Sequence, residues 1–334
     1  MSPSNINLAY TKCRDVFKEH AKTYYLGAVL FDKSKFRHIC AFYGFVRVID
    51  NMIDCDNTLS VISKKEILLD METLFFTFYN ESKKTNNYYN MSYLPQFNVK
   101  NNKYFDLFIE ILPAVLYSFN EIKISDLCLR SFFSSMRMDL EKLCYKNSKE
   151  LEEYMYGSAE IIGEVMYLIM EEKEDINMID YAYSLGKAFQ LTNFIRDIRE
   201  DYEMKPSRIY IPLNEQEEYN VNLEFDIPKI INGDINEKEF NNVKKLIKYQ
   251  IDKTEKIYDF AQIGIEQLKD KEYINLSKVL YSSIHKKIID NDYDVFSKRC
   301  HLSSWEKIKI TYNLLSWYNI YRFILNYISY SYFF

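Results

Sequence analysis

Along nearly the whole chain, apolar residues recur at i, i+3 and i+4, the spacing that lines one face of an α-helix. This periodicity predicts helices over roughly 4–20, 34–56, 61–80, 103–119, 126–145, 149–171, 177–203, 236–269, 272–291 and 303–326. Local punctuation agrees at two places. Ser125-Asp126 can cap the helix that begins near Leu127, and Lys205-Pro206-Ser207 stops the one that carries Asp197. Strand-like alternation is scarce, and the run Arg208-Ile209-Tyr210-Ile211-Pro212 is too short to found a sheet. The polar stretch 83–103, KKTNNYYNMSYLPQFNVKNNK, reads as a loop. No internal repeat and no domain-scale linker interrupts the pattern, so the expectation is an all-α, single-domain protein.

Composition narrows this further. With 7 Gly and 6 Pro among 334 residues, the chain has about a third of ordinary Gly and Pro usage, which excludes collagen-like, low-complexity and turn-rich all-β architectures. No GxGxxG or GxxxxGK[ST] occurs, so no glycine loop cradles phosphate. A formal net charge of -5 without a basic run gives no footprint for nucleic acid. The six cysteines (Cys13, Cys40, Cys55, Cys128, Cys144, Cys300) form no CxxC pair, and with four separate histidines they make no zinc constellation. The opening MSPSNINLAY lacks a signal-type apolar core. Free thiols and a cytoplasmic location are expected.

Candidate chemistry enters with two Asp-x-x-x-Asp segments: Asp50/Asp54 in GFVRVIDNMID, and Asp197/Asp201 in QLTNFIRDIRED. Four residues make slightly more than one helical turn, so each pair projects from one face. Like charges so placed weaken a helix by ~0.2–0.5 kcal/mol, and their flanks (Val46, Val48, Ile49, Met52 and Ile53; Phe194, Ile195 and Ile198) are apolar. A cationic partner removes the penalty of burying them. Asn193, Asp197 and Asp201 recur at i, i+4, i+8, an amide oxygen and two carboxylates in line, the hard ligands Mg²⁺ takes. Arg47 lies one turn before Asp50 and Arg196 beside Asp197. Acid and base mixed around hard-metal ligands suit a metal-bridged diphosphate. Lys22, Arg208 and Tyr210 are candidates for the same pocket, and Tyr24, Tyr43 and Tyr154 for cation–π stabilisation of the carbocation that diphosphate departure would leave.

These residues resemble the squalene/phytoene synthase family of head-to-head prenyl transferases. The resemblance rests on KTYYLGAVLF (22–31) with CAFYGFVRVIDNMID (40–54), YMYGSAEIIGEVM (154–166), LGKAFQLTNFIRDIREDYEMKPSRIYIP (185–212), and NDYDVFSKR (291–299) with Tyr281 upstream. It implies an isoprenoid-synthase helical bundle with a central apolar tunnel, a catalytic domain over 1–310 and an aromatic tail over 311–334. It assigns Asp50, Asp54, Asn193, Asp197 and Asp201 to Mg²⁺, and Arg47, Arg196 and Lys22 to the diphosphates. Gln190, Tyr24, Tyr43 and Tyr154 match tunnel positions, with Arg208, Tyr210 and Tyr281 among the substrate contacts. Two positions depart from the family pattern: Asn51 stands where many members have Asp, and Glu160 where many have Gly. Gly27, Gly44, Gly157, Gly163 and Gly186 lie in or beside predicted helices and cost about 1 kcal/mol each in a helix interior; the resemblance makes close approach to substrate their expected reason.

The implied reaction joins two identical allylic prenyl diphosphates 1-1′ through a cyclopropylcarbinyl diphosphate. Small Ala28 and Cys40 favour two geranylgeranyl diphosphates and phytoene. The alternative is two farnesyl diphosphates giving dehydrosqualene, presqualene diphosphate or squalene, the last requiring NADPH. A non-catalytic assembly factor of the same fold is the alternative of another class, against which retention of all four aspartates and Asn193 speaks. The segment 313–334, NLLSWYNIYRFILNYISYSYFF, is interrupted by Asn313, Asn319, Arg322 and Asn326, so it reads as a core-packed or monotopic helix in peripheral contact with membrane rather than a span.

Overall fold

A computed structural model describes residues 3–56, 58–85, 102–171 and 175–332. In chain order the helices are α1 (Pro3–His20), α2 (Lys22–Ala28), α3 (Lys33–Asp54), α4 (Val61–Thr85), α5 (Lys103–Ile122), α6 (Asp126–Asp139) and α7 (Ser148–Met155). A π-helical turn, Tyr156–Glu160, leads into α8 (Ile161–Met170), α9 (Ile176–Arg196), α10 (Ile198–Glu203), α11 (Leu213–Glu218) and α12 (Leu223–Asn232). The chain continues through α13 (Glu237–Ile265), α14 (Lys271–Asp290), α15 (Ser304–Leu314) and α16 (Trp317–Tyr332). The all-α expectation holds. Residues 1–140, 168–173 and 316–334 group into one compact unit, and residues 141–167 and 174–315 into another.

In the first unit, α3 is the central element and packs against α1 and α5. It starts where the Asp32 carboxylate accepts the backbone N–H groups of Ser34 and Lys35 at 2.9 and 3.0 Å. Its apolar face carries Phe45, whose ring lies 5.0–6.0 Å from those of Phe75, Phe108, Phe119, Phe132 and Phe133. Such ring pairs add about 0.5–1.5 kcal/mol each beyond area burial. A buried hydroxyl ties the three helices: Ser118 on α5 is 2.8 Å from Tyr10 OH on α1 and 3.0 Å from His38 Nδ1 on α3. The tail helix α16 docks here. The Tyr330 ring stacks on Phe36 at 4.6 Å and its hydroxyl donates to the Phe31 carbonyl, while Asn326 donates to the Val29 carbonyl at 2.9 Å.

In the second unit, α9 packs along α13 and against the π turn. There, and where α8 meets α9, two glycine positions have no space for a side chain. A Cβ on Gly186 would sit 2.2 Å from the Ala159 carbonyl oxygen, and one on Gly163 2.0 Å from that of Ala182. In the first unit, Gly44 similarly lies against Cys13. At these three positions the expectation of close approach to substrate is therefore corrected: the missing side chain admits a neighbouring helix.

Several boundaries differ from the predicted ones for identifiable reasons. The helix predicted to reach 145 stops at Asp139, because the following backbone finds partners in the RIYIP run. Cys144 and Ile209 form a parallel bridge, with Ile209 donating to the Leu143 carbonyl at 2.8 Å and Leu213 to that of Tyr145 at 2.9 Å. The 149–171 helix is interrupted by the π turn, the 177–203 helix kinks at Asp197, and the 303–326 helix divides at Leu315 and Ser316. Helices α2, α11 and α12 span only 7, 6 and 10 residues, too short for a periodicity signal that needs a window of about 11 or more. Of the predicted loop 83–103, residues 83–85 complete α4 and Lys103 opens α5. Residues 86–101 lie outside the described ones.

Candidate active site

The first carboxylate pair belongs to the first unit. Asp50 and Asp54 occupy the last turns of α3, both half-buried. Arg47 Nη1 donates to Asp50 Oδ2 at 2.6 Å and its Nε to Tyr43 OH at 3.0 Å, while the Tyr43 ring stacks on Phe17 at 4.4 Å. The guanidinium is thus held in place from two sides. Burial works against its charge, but Asp50, Tyr43 and Asp54 outweigh it and hold the group above its ordinary pKa. Asn51 is buried, with its side-chain amide 3.4 Å from His20 Nε2. Tyr24 is half-buried on α2; Lys22 opens that helix, and its side chain lies outside the described ones.

The second pair belongs to the second unit. The helix kinks at Asp197 (φ -103°, ψ 17°), yet its N–H still donates to the Asn193 carbonyl and that of Asp201 to the Asp197 carbonyl, both at 2.8 Å. The stripe Asn193–Asp197–Asp201 therefore stays continuous through the kink. Two arginines grip the Asp197 carboxylate. Arg196 donates through Nε at 2.7 Å and through Nη2, and Arg299 donates through Nε at 2.8 Å and Nη2 at 2.9 Å. Burial raises the Asp197 pKa, but the two guanidinium groups pull harder and leave it below the usual carboxylate range.

Asn193 supplies the observation that bears on a metal. Its Oδ1 is buried without a hydrogen-bond partner, while its Nδ2 is 3.5 Å from Gln190 Oε1. A buried carbonyl oxygen left open costs about 1–3 kcal/mol, and an oxygen so placed beside two carboxylates fits a hard divalent cation. Among the described residues no group of three or more His, Cys, Asp or Glu side chains is gathered to hold a metal unaided. An amide oxygen and carboxylates suit an ion whose coordination is completed by the oxygens of a bound anion.

The flanking residues are fixed by the same local structure. The Asp201 carbonyl accepts the Arg208 N–H at 2.9 Å, which joins the end of α10 to the RIYIP run, and Arg208 is buried. Tyr210 stacks on Phe194 at 4.1 Å and on Tyr154 at 5.7 Å, placing Tyr154 inside a ring cluster with Tyr145. Tyr281 packs on Phe189 at 4.7 Å. Glu160 is half-buried in the π turn, where burial raises its pKa against the pull of Lys187 at 3.9 Å. Arg299 is the residue that sequence reasoning passed over. The signal was present, since it closes the NDYDVFSKR run, but its partner lies 102 positions away.

The squalene/phytoene synthase family pattern matches residues 17–306. The chain is 29% identical over 320 residues to phytoene synthase 1, chloroplastic, of Solanum lycopersicum, covering 92% of this chain and 68% of that protein. It is 29% identical to the chloroplastic phytoene synthase of an Oncidium hybrid cultivar (91% and 66% covered) and 27% identical to phytoene synthase of Arthrospira platensis (92% of each). It thus spans about two thirds of the length of those two plant relatives. In fold, it is similar to a dehydrosqualene synthase solved with a ligand, with TM-score 0.72, 19% identity, and 93% and 96% of the two chains covered. Squalene synthase HpnC from Alicyclobacillus acidocaldarius is similar too, with TM-score 0.64, 15% identity, and 88% and 97% covered. The fold is of isoprenoid synthase type, and this chain belongs to the squalene/phytoene synthase family, the head-to-head prenyltransferases.

Proposed function

We propose that this protein joins two molecules of geranylgeranyl diphosphate head to head, through a cyclopropylcarbinyl diphosphate, to give phytoene. The observation that carries the reading is the stripe Asn193–Asp197–Asp201, with a buried amide oxygen left open and two arginines on its central carboxylate. The relatives named as phytoene synthases support the choice of product.

In this reading Asp50 and Asp54, and Asn193, Asp197 and Asp201, hold magnesium ions together with substrate diphosphate. Bound there, the metal supplies neutralisation of charge on the leaving group. Arg47, Arg196 and Arg299 add charge-assisted hydrogen bonds to diphosphate oxygens, and Lys22 and Arg208 are assigned the same role. Tyr24 and Tyr43 in the first unit and Tyr154 in the second present ring faces to developing positive charge, and Gln190, Tyr210 and Tyr281 contact substrate and exclude water. The pre-set charges around the diphosphate supply most of the rate enhancement.

Incubation with Mg²⁺ and labelled C20 or C15 diphosphate, followed by hydrocarbon analysis, tests the proposal. Phytoene from the C20 substrate is expected. Faster turnover of the C15 substrate would move the assignment to dehydrosqualene or, with NADPH, squalene. Absence of any condensed product would remove it.

Such a product is a water-insoluble hydrocarbon, and the surface of α15 offers it a place of release. Trp305, Ile308 and Tyr312 are exposed at i, i+3 and i+7 on one face, with Lys309 also exposed on that helix. Trp and Tyr beside a basic residue favour the headgroup region of a bilayer. Among the described residues no helix is long and apolar enough to cross a membrane, so the contact proposed is peripheral.

A further inference from the structure

A buried polar bridge crosses the second unit one residue before Asn193. Thr192 on α9 is fully buried, and its hydroxyl lies 2.8 Å from the Ala188 carbonyl, 2.9 Å from Tyr258 OH on α13 and 3.0 Å from His285 Nε2 on α14. The carbonyl can only accept, so it takes the hydroxyl proton, and Tyr258 and His285 donate to the threonine oxygen. His285 is itself buried, and its Nδ1 lies 2.5 Å from Glu255 Oε1 on α13, whose side chain reaches solvent.

The bridge matters because of how α9 is otherwise held. Apolar residues are spread almost evenly around this helix instead of forming one stripe. Apolar packing is non-directional, so beyond the close contacts at Ala182 and Gly186 this helix has little to fix the rotation of its C-terminal turns about its own axis. Directional hydrogen bonds do fix it. Each residue advances the helix by about 100°, so anchoring Thr192 towards α13 and α14 sets the direction in which Asn193, Arg196 and Asp197 project.

We propose that His285, acting through Thr192 and backed by Glu255, is a positioning residue that sets the rotation of α9 and so the metal-binding geometry of Asn193 and Asp197. The inference rests on the reading of that stripe as a metal site.

The test compares Thr192→Val, which keeps shape and loses the hydroxyl, with Thr192→Ser, which keeps the hydroxyl. His285→Leu and Glu255→Gln are added, the last at a residue that reaches solvent. Mn²⁺ binding in the presence of inorganic diphosphate, read by electron paramagnetic resonance, is measured beside kcat, KM and the thermal midpoint. Thr192→Val and His285→Leu are expected to weaken Mn²⁺ binding about tenfold, equivalent to about 1.4 kcal/mol, and to lower kcat with little change in KM. Glu255→Gln should have a smaller effect of the same kind, and Thr192→Ser should stay within twofold of the parent. If Thr192→Val lowers only the thermal midpoint, or Thr192→Ser is as damaged as Thr192→Val, the proposal is overturned. Should the buried variants not fold, unchanged Mn²⁺ binding in Glu255→Gln overturns it and weakened binding supports it. Asp197→Asn serves as the separate control: full Mn²⁺ binding in that variant would sink the metal-site reading itself.

Discussion

Each of the two aspartate-rich segments presents carboxylates that would repel one another and pay for burial if left alone. Around Asp197 that cost is met by Arg196 and Arg299, and around Asp50 by Arg47. Replacing Asp50 or Asp197 with Asn keeps the volume and removes the charge. Either change should lower turnover about 10²-fold or more, the scale on which removing one electrostatic stabiliser acts, with the circular dichroism spectrum unchanged. A product assay with labelled C20 diphosphate checks this, and retained activity in either variant would count against the assignment.

A second residue-scale prediction concerns pH. Burial, together with Arg37, lowers the pKa of His38 from 6.5 to about 4 despite the opposing Asp32. The unfolded chain therefore takes up a proton below pH 6.5 that the folded chain refuses until about pH 4. Stability should fall as pH drops through that window, by at most about 1.4 kcal/mol per pH unit from this group. Urea titrations at pH 7, 6 and 5 should show the decline, and His38→Gln should flatten it. An equally steep decline in the variant would assign the effect to other groups.

Between elements, the least forgiving contact in the second unit is the backbone-to-backbone approach at Gly163 and Gly186. An added methyl group would fall within 2.0–2.2 Å of a carbonyl carbon-bonded oxygen that belongs to another helix, and backbone cannot swing aside as a side chain can. Gly163→Ala and Gly186→Ala should each cost at least about 1–3 kcal/mol, the range for overpacking, although Ala is the better helix former. Chemical denaturation decides it, and a stabilised alanine variant would refute the account. Sequence showed that these glycines were out of place in helices. It did not show whether a ligand or a helix came close, because that depends on which chain segment packs there.

Across the whole molecule, the exposed face of α15 has the composition of an interfacial helix. Replacing Trp305 and Ile308 together with Glu should reduce sedimentation with vesicles containing anionic lipid by about tenfold or more, since each side chain exchanges favourable apolar burial for a charge near headgroups. Activity towards short, water-soluble substrate analogues should persist. Removing residues 317–334 is a different experiment, because Tyr330 and Asn326 hold the chain at Phe31 and Val29; that truncation should lower stability. If the truncation alone abolished vesicle binding, α16 would take the role given to α15.

The sequence by itself determined the helical class, most of the long elements and the chemistry of the two acidic segments. Those features are written in spacings of three, four and eight residues, and the α-helix converts such spacings into a shared face without help from the rest of the chain. Tertiary structure alone decided the remainder. It chose Arg299 as a partner of Asp197, put Ala159 and Ala182 against glycines, left the Asn193 oxygen open, and gathered Tyr258, His285 and Glu255 behind Thr192. These pairings join residues 19 to 102 positions apart, and which distant groups meet is fixed by close packing of the whole chain rather than by any local period.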